Sequence, residues 1–489
     1  MLFNSIQFAV FFPVVAATYF ALPHRYRVPF LVFASYVFYM AWVPSYVFLL
    51  LFSTFVSYAA ARGIESSKSV GLRRALFVTG LCVNLGILFL FKYFNFFNDS
   101  MQWIFERFSL PYHTPDWRLL LPVGISFYTF QTVGYVVDVY RGQVPAERNP
   151  WVFALYVSFF PQLVAGPIER AGRLIPQLRA RHNLDYQQAT DGLKLMAWGL
   201  FKKVVVADRL GSIVAVVYAN PENHAGPAYA IATIMAAWQI YCDFSGYSDI
   251  AIGSAQVMGV RLMTNFERPF FARSLPELWR RWHISLTTWF RDYLFFPMGG
   301  SRGGVVRTMR NVVFVFAICG LWHGANWTFV LWGALTGVLL CVSMVTQPLR
   351  RAAATRMGLD RIPRIHAVFQ TIATFFVFSF VGIFFRAHNV QDAFTIYRRL
   401  FTGWLDLFQG GRFRDFVYSL GLAKVETFWL SVSVLAILIG VEAVQQYGPI
   451  APRIQRYPVW ARWCMYYAFI LAILYLGVFD ESPFVYFQF

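Results

Sequence analysis

The feature that most constrains this chain is its succession of long apolar runs. They fall near 6–22, 29–43, 45–61, 75–97, 119–140, 151–167, 228–258, 311–345, 365–385, 427–446 and 460–479. A helix needs about 20 apolar residues to cross the hydrocarbon of a bilayer, and most of the runs approach that length. The 311–345 run is long enough for two helices. Composition agrees: 58% of residues are hydrophobic and only 13% charged, whereas soluble domains carry roughly 25% charged residues. A fold in water cannot hide so much apolar surface, so the solvent is lipid. Strands in lipid must close into a barrel and alternate apolar with polar residues, and these runs do not alternate. The expected fold is all-α and integral to the membrane, one polytopic domain over 1–489 with about eleven transmembrane helices.

The formal charge is +18. In a soluble protein that would raise nucleic acid as a partner. Here the cations cluster in short loops: Arg62, Lys68, Arg73 and Arg74; Arg170, Arg173, Arg179 and Arg181; Arg302, Arg307 and Arg310; and Arg350, Arg351, Arg356, Arg361 and Arg364. The positive-inside rule and anionic lipid account for such clusters, so membrane lipid is the expected partner and nucleic acid is not. Arg25 and Arg27 and the 62–74 loop are expected on the cytoplasmic side, which puts the N-terminus in the periplasm. The segment MLFNSIQFAVFFPVVAATYFAL has no basic start and no clear cleavage site, and reads as a retained first span. Cys82, Cys242, Cys319, Cys341 and Cys464 show no paired spacing and read as small hydrophobes.

Two stretches interrupt the apolar pattern. Residues 192–218 carry Lys194, Lys202, Lys203, Asp208 and Arg209 among apolar neighbours, and 276–300 is Trp-rich and charged. Both are expected as re-entrant or interfacial helices, and 390–418 as an amphipathic connection. Irregular backbone at membrane depth is tolerated where it lines a cavity. No internal repeat of the transporter kind is visible.

Polar residues inside membrane segments are costly and usually functional. His323 lies in GLWHGANWTFVLWG, 320–333, with Gly320, Gly324 and Asn326 close by. On position alone it is either a functional imidazole or a structural one bonded to a neighbouring helix. His283, in WRRWHISLTTWFRDY, is flanked by Arg280, Arg281, Arg291 and Asp292, and the bland reading is an interfacial Trp/Arg anchor. The two histidines have no metal-ligand spacing, so no metal is expected. YCDFSGYSDIAIG, 241–253, holds Asp243, Ser245 and Asp249. Its glycine and serine density suits close helix contacts or a tunnel lining more than catalysis. No nucleophile elbow, P-loop or dinucleotide fingerprint occurs.

Longer blocks carry a resemblance. LPVGISFYTFQTVGYVVDVYRG (121–142), FFPQLVAGPIER (159–170), YCDFSGYSDIAIG, NFERPFFARSLPELWRRWHISLTTWFRDYLFFPMGG (265–300), LWHGANWTFVLWG and the terminal PFVYFQF follow one another in order. In these the chain resembles the bacterial branch of the membrane-bound O-acyltransferase family, above all its alginate-acetylating members. The resemblance implies a ring of helices around a funnel, with a tunnel joining the two membrane faces. It implies His323 as the catalytic histidine and His283 as the other site histidine, with Trp322, Asn326, Asp243 and Ser245 as tunnel or substrate neighbours. No bound cofactor is implied. The donor would be cytoplasmic acetyl-coenzyme A, or a carrier-protein thioester as in the family's D-alanine branch. A periplasmic SGNH-type protein would pass the group to the polymer. The place would be the bacterial inner membrane, crossed many times. Cellulose, peptidoglycan and teichoic acid are the alternative acceptors, and a transporter or flippase the alternative of another class.

Overall fold

The computed structural model describes the chain apart from residues 115–118, 165, 406–411, 480–483 and 486–489. The regular structure of the described residues is helical. By contacts the chain groups into two compact units. The first is Met1–Met196 with Ser248–Thr264, and the second is Ala197–Tyr247 with Asn265–Phe489.

In the first unit, α1 (Ile6–Ala21) starts where Ser5 Oγ accepts the Phe8 N–H, an N-cap that satisfies one of the unpaired donors of a helix end. α2 (His24–Met40), α3 (Val47–Ser66) and α4 (Val70–Leu88) follow. α4 runs on through a π turn at Phe89–Tyr93 to Arg107. α5 (Ile125–Tyr140) is buried on nearly every side. It is shorter than the 119–140 run because Gly124 takes a left-handed φ of 75° behind Pro122. The 151–167 run forms no span either. It makes α6 (Pro150–Ser158) and a single turn at Phe160–Leu163. At the break, the Phe160 N–H donates to Ser35 Oγ of α2 at 3.1 Å, so a side chain replaces the helical partner.

α3, α4 and α5 are tied by Asn84. Its amide accepts from Ser53 at 2.5 Å and Thr132 at 3.3 Å, and donates to Ser57 at 3.0 Å and the Gly80 carbonyl at 2.7 Å. Arg27, read from sequence as a loop cation, is buried; its guanidinium bonds the carbonyls of Phe20, Leu22 and His182. Glu169 is also buried. It accepts from the Met263 N–H and lies 3.9 Å from Arg173. Burial pushes its carboxyl up to about 7.

A helix that begins as α7 (Tyr186–Leu200) continues through a π stretch, Phe201–Ala207, into α8 (Asp208–Ala219), and the second unit takes it up from Ala197. Lys202 and Lys203 are buried, 3% and 1% exposed. Groups five apart do not face each other on an α-helix. The π stretch brings them together: Lys203 Nζ lies 2.8 Å from Asp208 and 2.7 Å from Asp243. Asp243 lies on α9 (Gly226–Val257). The unit goes on with two short helices, α10 (Leu275–Arg281) and α11 (Ile284–Phe290), and the long helices α12 (Val305–His323), α13 (Trp327–Val345), α14 (Pro363–Arg386), α15 (Val425–Gln445) and α16 (Val459–Leu476). The 311–345 run is thus the hairpin α12–α13. Its helices touch backbone to backbone: a Cβ on Gly320 would meet the Phe329 carbonyl at 2.1 Å, and one on Gly333 the Phe316 carbonyl at 2.1 Å.

Seven helices among the described residues are long and apolar enough to cross a membrane: Pro44–Ser66, Val70–Arg107, α12, α13, α14, α15 and α16. Ile6–Ala21 is apolar but shorter. Neither 192–218 nor 276–300 is among the seven, in line with the charges that interrupt them.

Candidate functional site

α10 opens with Ser274, whose Oγ accepts the Glu277 N–H, and with proline in its first turn. The helix then breaks at Trp282–His283, and α11 begins. His283 sits at φ 41°, ψ 55°, a left-handed conformation that costs an L-residue roughly 1–2 kcal/mol. The cost persists only where surroundings over-determine it, and here they do. Asn265 is fully buried. Its carbonyl accepts the Ile284 N–H at 2.9 Å, and its Oδ1 accepts from Ser285 Oγ at 2.8 Å. The Glu267 N–H donates to the Arg281 carbonyl at 2.9 Å. Thr287 Oγ1 donates to the carbonyls of Trp282 at 2.9 Å and His283 at 2.8 Å. Loop 265–267 therefore staples the turn that aims His283. Burial pushes its imidazole down to about 3, so it is neutral at pH 7.

His323 is the last residue of α12. The close glycine contact draws α13 against this end of α12, and His323 is 3% exposed. Its ring centroid lies 6.5 Å from that of His283, 5.0 Å from Trp322, 5.3 Å from Trp332 and 5.3 Å from Phe385. Trp322 also lies 5.9 Å from His283. Phe244 stands edge-on to His283 at 4.5 Å.

Both histidines line one cavity of about 450 Å³. Its wall is mostly aromatic and aliphatic, with Arg280 and Arg291, both exposed, in the lining. Most of the neutral polar groups in the wall are already used. Thr287 and Thr288 give their hydroxyls to backbone carbonyls. The Trp279 indole N–H is different: it is buried and has no hydrogen-bond partner among the described residues. A buried donor without an acceptor is expensive, so the cavity offers a donor to whatever enters it.

The other residues read from sequence lie elsewhere. Trp322 packs beside both histidines and is not among the cavity's lining residues. Asn326 caps α13, accepting the Thr328 N–H at 2.9 Å and donating to the His388 carbonyl at 3.0 Å, and it is not among the cavity's lining residues. Asp243 pairs with Lys203 and accepts the Val485 N–H at 2.7 Å; Ser245 accepts from Lys202 at 2.9 Å. Neither lines the cavity. Of the terminal block, only Phe484 and Val485 are described, and Phe484 packs 5.3 Å from Phe244. Sequence reasoning missed Asn265 and Trp279. Trp279, four residues before His283, had one available signal: its place in the same charged, Trp-rich stretch.

Residues 146–385 match the family model for the membrane-bound O-acyltransferase family, a span that includes both histidines. The chain is 38% identical over 406 residues to a probable alginate O-acetylase of Pseudomonas aeruginosa, covering 82% of this chain and 75% of that one. It is 36% identical over 453 residues to a protein of the same description from Azotobacter vinelandii, covering 91% and 86%. It is 33% identical over 428 residues to a peptidoglycan O-acetyltransferase of Helicobacter pylori, covering 81% and 79%.

Proposed function

This chain belongs to the membrane-bound O-acyltransferase family, and on that premise we propose that it moves an acetyl group from a cytoplasmic thioester across the inner membrane for O-acetylation of an exported polysaccharide of the alginate type. That it is a membrane-bound acyltransferase follows from the family and the relatives. The donor, the acceptor and the residue roles are the proposal. The fold is read in the same way, as about eleven spans around a funnel.

The observation that carries the proposal is the pair of histidines in one largely apolar cavity, with ring centroids 6.5 Å apart. An imidazole titrates near neutrality and can take a hydroxyl proton. His323 acts as the base. It removes the acceptor O–H proton as the oxygen attacks the thioester carbonyl. The tetrahedral intermediate collapses, the C–S bond breaks, and the leaving thiolate takes the proton from the His323 imidazolium. The products are an oxygen ester and a free thiol. His283, neutral and held by the Asn265 staple, orients the reacting group. The unpartnered Trp279 N–H donates to a carbonyl of the donor. Arg280 and Arg291 favour a phosphate-bearing donor, acetyl-coenzyme A before a carrier-protein thioester. Delivery to the polymer falls to a separate periplasmic protein of SGNH type.

Proteoliposomes holding the purified protein and labelled acetyl-coenzyme A test this reading. Label should leave the thioester and appear as ester on a hydroxyl acceptor only when a periplasmic partner is present. Acetylation of polysaccharide by the protein alone would overturn the partner. No thioester consumption under any condition would overturn the donor and the site. The Helicobacter pylori relative favours peptidoglycan as the second acceptor, and parallel assays with alginate and peptidoglycan fragments separate the two.

A further inference from the structure

We infer that Phe385, with Trp332 beside it, sets the length of acyl group this enzyme accepts, by closing the space beyond His323 to anything longer than acetyl. The inference rests on the reading of His323 as the acyl-transfer base.

A second cavity lies beyond these rings. Its lining includes Trp332, Phe385, Ser379 and Gly382, and it shares Trp282 with the larger cavity. Its volume is about 20 Å³, room for about one water molecule. His323 belongs to the larger cavity alone, while the rings of Trp332 and Phe385 each stand 5.3 Å from it. Those two rings meet edge to face at 5.0 Å, and Phe329 backs Phe385 at 5.0 Å. The large cavity, with its arginines, is where the arm of a thioester donor fits. The acyl group is the leading end of that donor. Once the thioester carbon reaches His323, each added methylene points at a buried, interlocked aromatic wall. Overpacking such a wall is unfavourable. Discrimination of one methylene by an apolar pocket reaches about 10–200-fold.

Space for a longer group exists once the wall is opened. Gly382 precedes Phe385 by three residues on α14, on the same face, and a Cβ there would meet nothing within 4 Å. Phe385→Ala would therefore join the two cavities, and a large side chain at 382 would refill them.

The test is the ratio of kcat/KM for butyryl- over acetyl-coenzyme A, measured in proteoliposomes for wild type, Phe385→Ala and Phe385→Leu. The wild type should strongly prefer acetyl. Phe385→Ala should raise the ratio at least about 10-fold, and Phe385→Leu, the milder change for folding, should raise it less and favour propionyl. Adding Gly382→Leu to Phe385→Ala should return the ratio toward wild type. A purely structural Phe385 would lower transfer of both donors together and leave the ratio where it was. An unchanged ratio in both Phe385 variants, with acetyl transfer intact, overturns the gate alone, as does a wild type that uses butyryl as readily as acetyl. If the wild type consumes no thioester of any length, the reading of the site falls and the gate falls with it.

Discussion

The two compact units handle buried polarity in different ways. In the first, three helices are joined by neutral groups that satisfy one another, Asn84 with Ser53, Ser57, Thr132 and a glycine carbonyl, and the buried charges Arg27 and Glu169 are met chiefly by backbone groups. In the second, buried charges and imidazoles sit among aromatic rings: Lys203 between Asp208 and Asp243, and His283 and His323 on one cavity. A neutral hydrogen-bond knot contributes a modest net stability and leaves nothing over for a ligand. A buried ion pair gives little net stability against an apolar replacement, yet losing one partner is severe. The first arrangement is what a scaffold needs. The second makes sense where chemistry or positioning requires it.

The largest effect that would sharpen this contrast is at His323. His323→Ala should lower acyl transfer by at least about 10², the lower end of general-base help, with insertion and thermal stability near wild type. His323→Gln should not restore transfer, because an amide keeps hydrogen bonding but cannot take the proton. Rescue by glutamine, or near-normal transfer by folded His323→Ala, would turn this residue into a structural one and erase the contrast. Next comes Lys203→Ala, which leaves two buried carboxylates without their cation. Unfolding in detergent should show a loss of about 3–5 kcal/mol. A loss no greater than that of a surface lysine would break the comparison from the other side.

Asn84→Ala should cost about 1–3 kcal/mol, the cost of stranding buried partners, while transfer per folded molecule stays at the wild-type level. A selective fall in transfer would show that the first unit is more than a scaffold. The smallest effect concerns Glu169, whose buried carboxyl is raised to about 7 from an ordinary 4.5. The folded state holds this proton more tightly than the unfolded chain. Its favourable contribution is present below about pH 4.5 and is lost as pH rises through about 7. Melting temperature should therefore decline over that window, and Glu169→Gln should flatten the decline. Stability that instead rises with pH there, and does so because of Glu169, would contradict the assignment.

What the sequence by itself determined is what short-range pattern encodes. Uninterrupted apolar runs and scarce charge decide the solvent and therefore the helical class, because only internally hydrogen-bonded helices or closed barrels survive in lipid. The long 311–345 run already implied the α12–α13 hairpin, and GLWHGANW already singled out His323. Tertiary structure decided whatever depends on groups far apart in the chain. The 151–167 run is largely apolar, yet it breaks after Ser158, where Ser35 takes the Phe160 N–H. His283 is aimed by Asn265, through a left-handed turn that no local periodicity foretells. Lys203 and Asp208 meet only because a π stretch replaces the α spacing, and Asp243 reaches them from another helix. The cavity shared by His283 and His323, with the Phe385 wall behind it, comes from three-dimensional packing. Spacing along a chain sets which face of a helix a side chain occupies, but not which other face it meets.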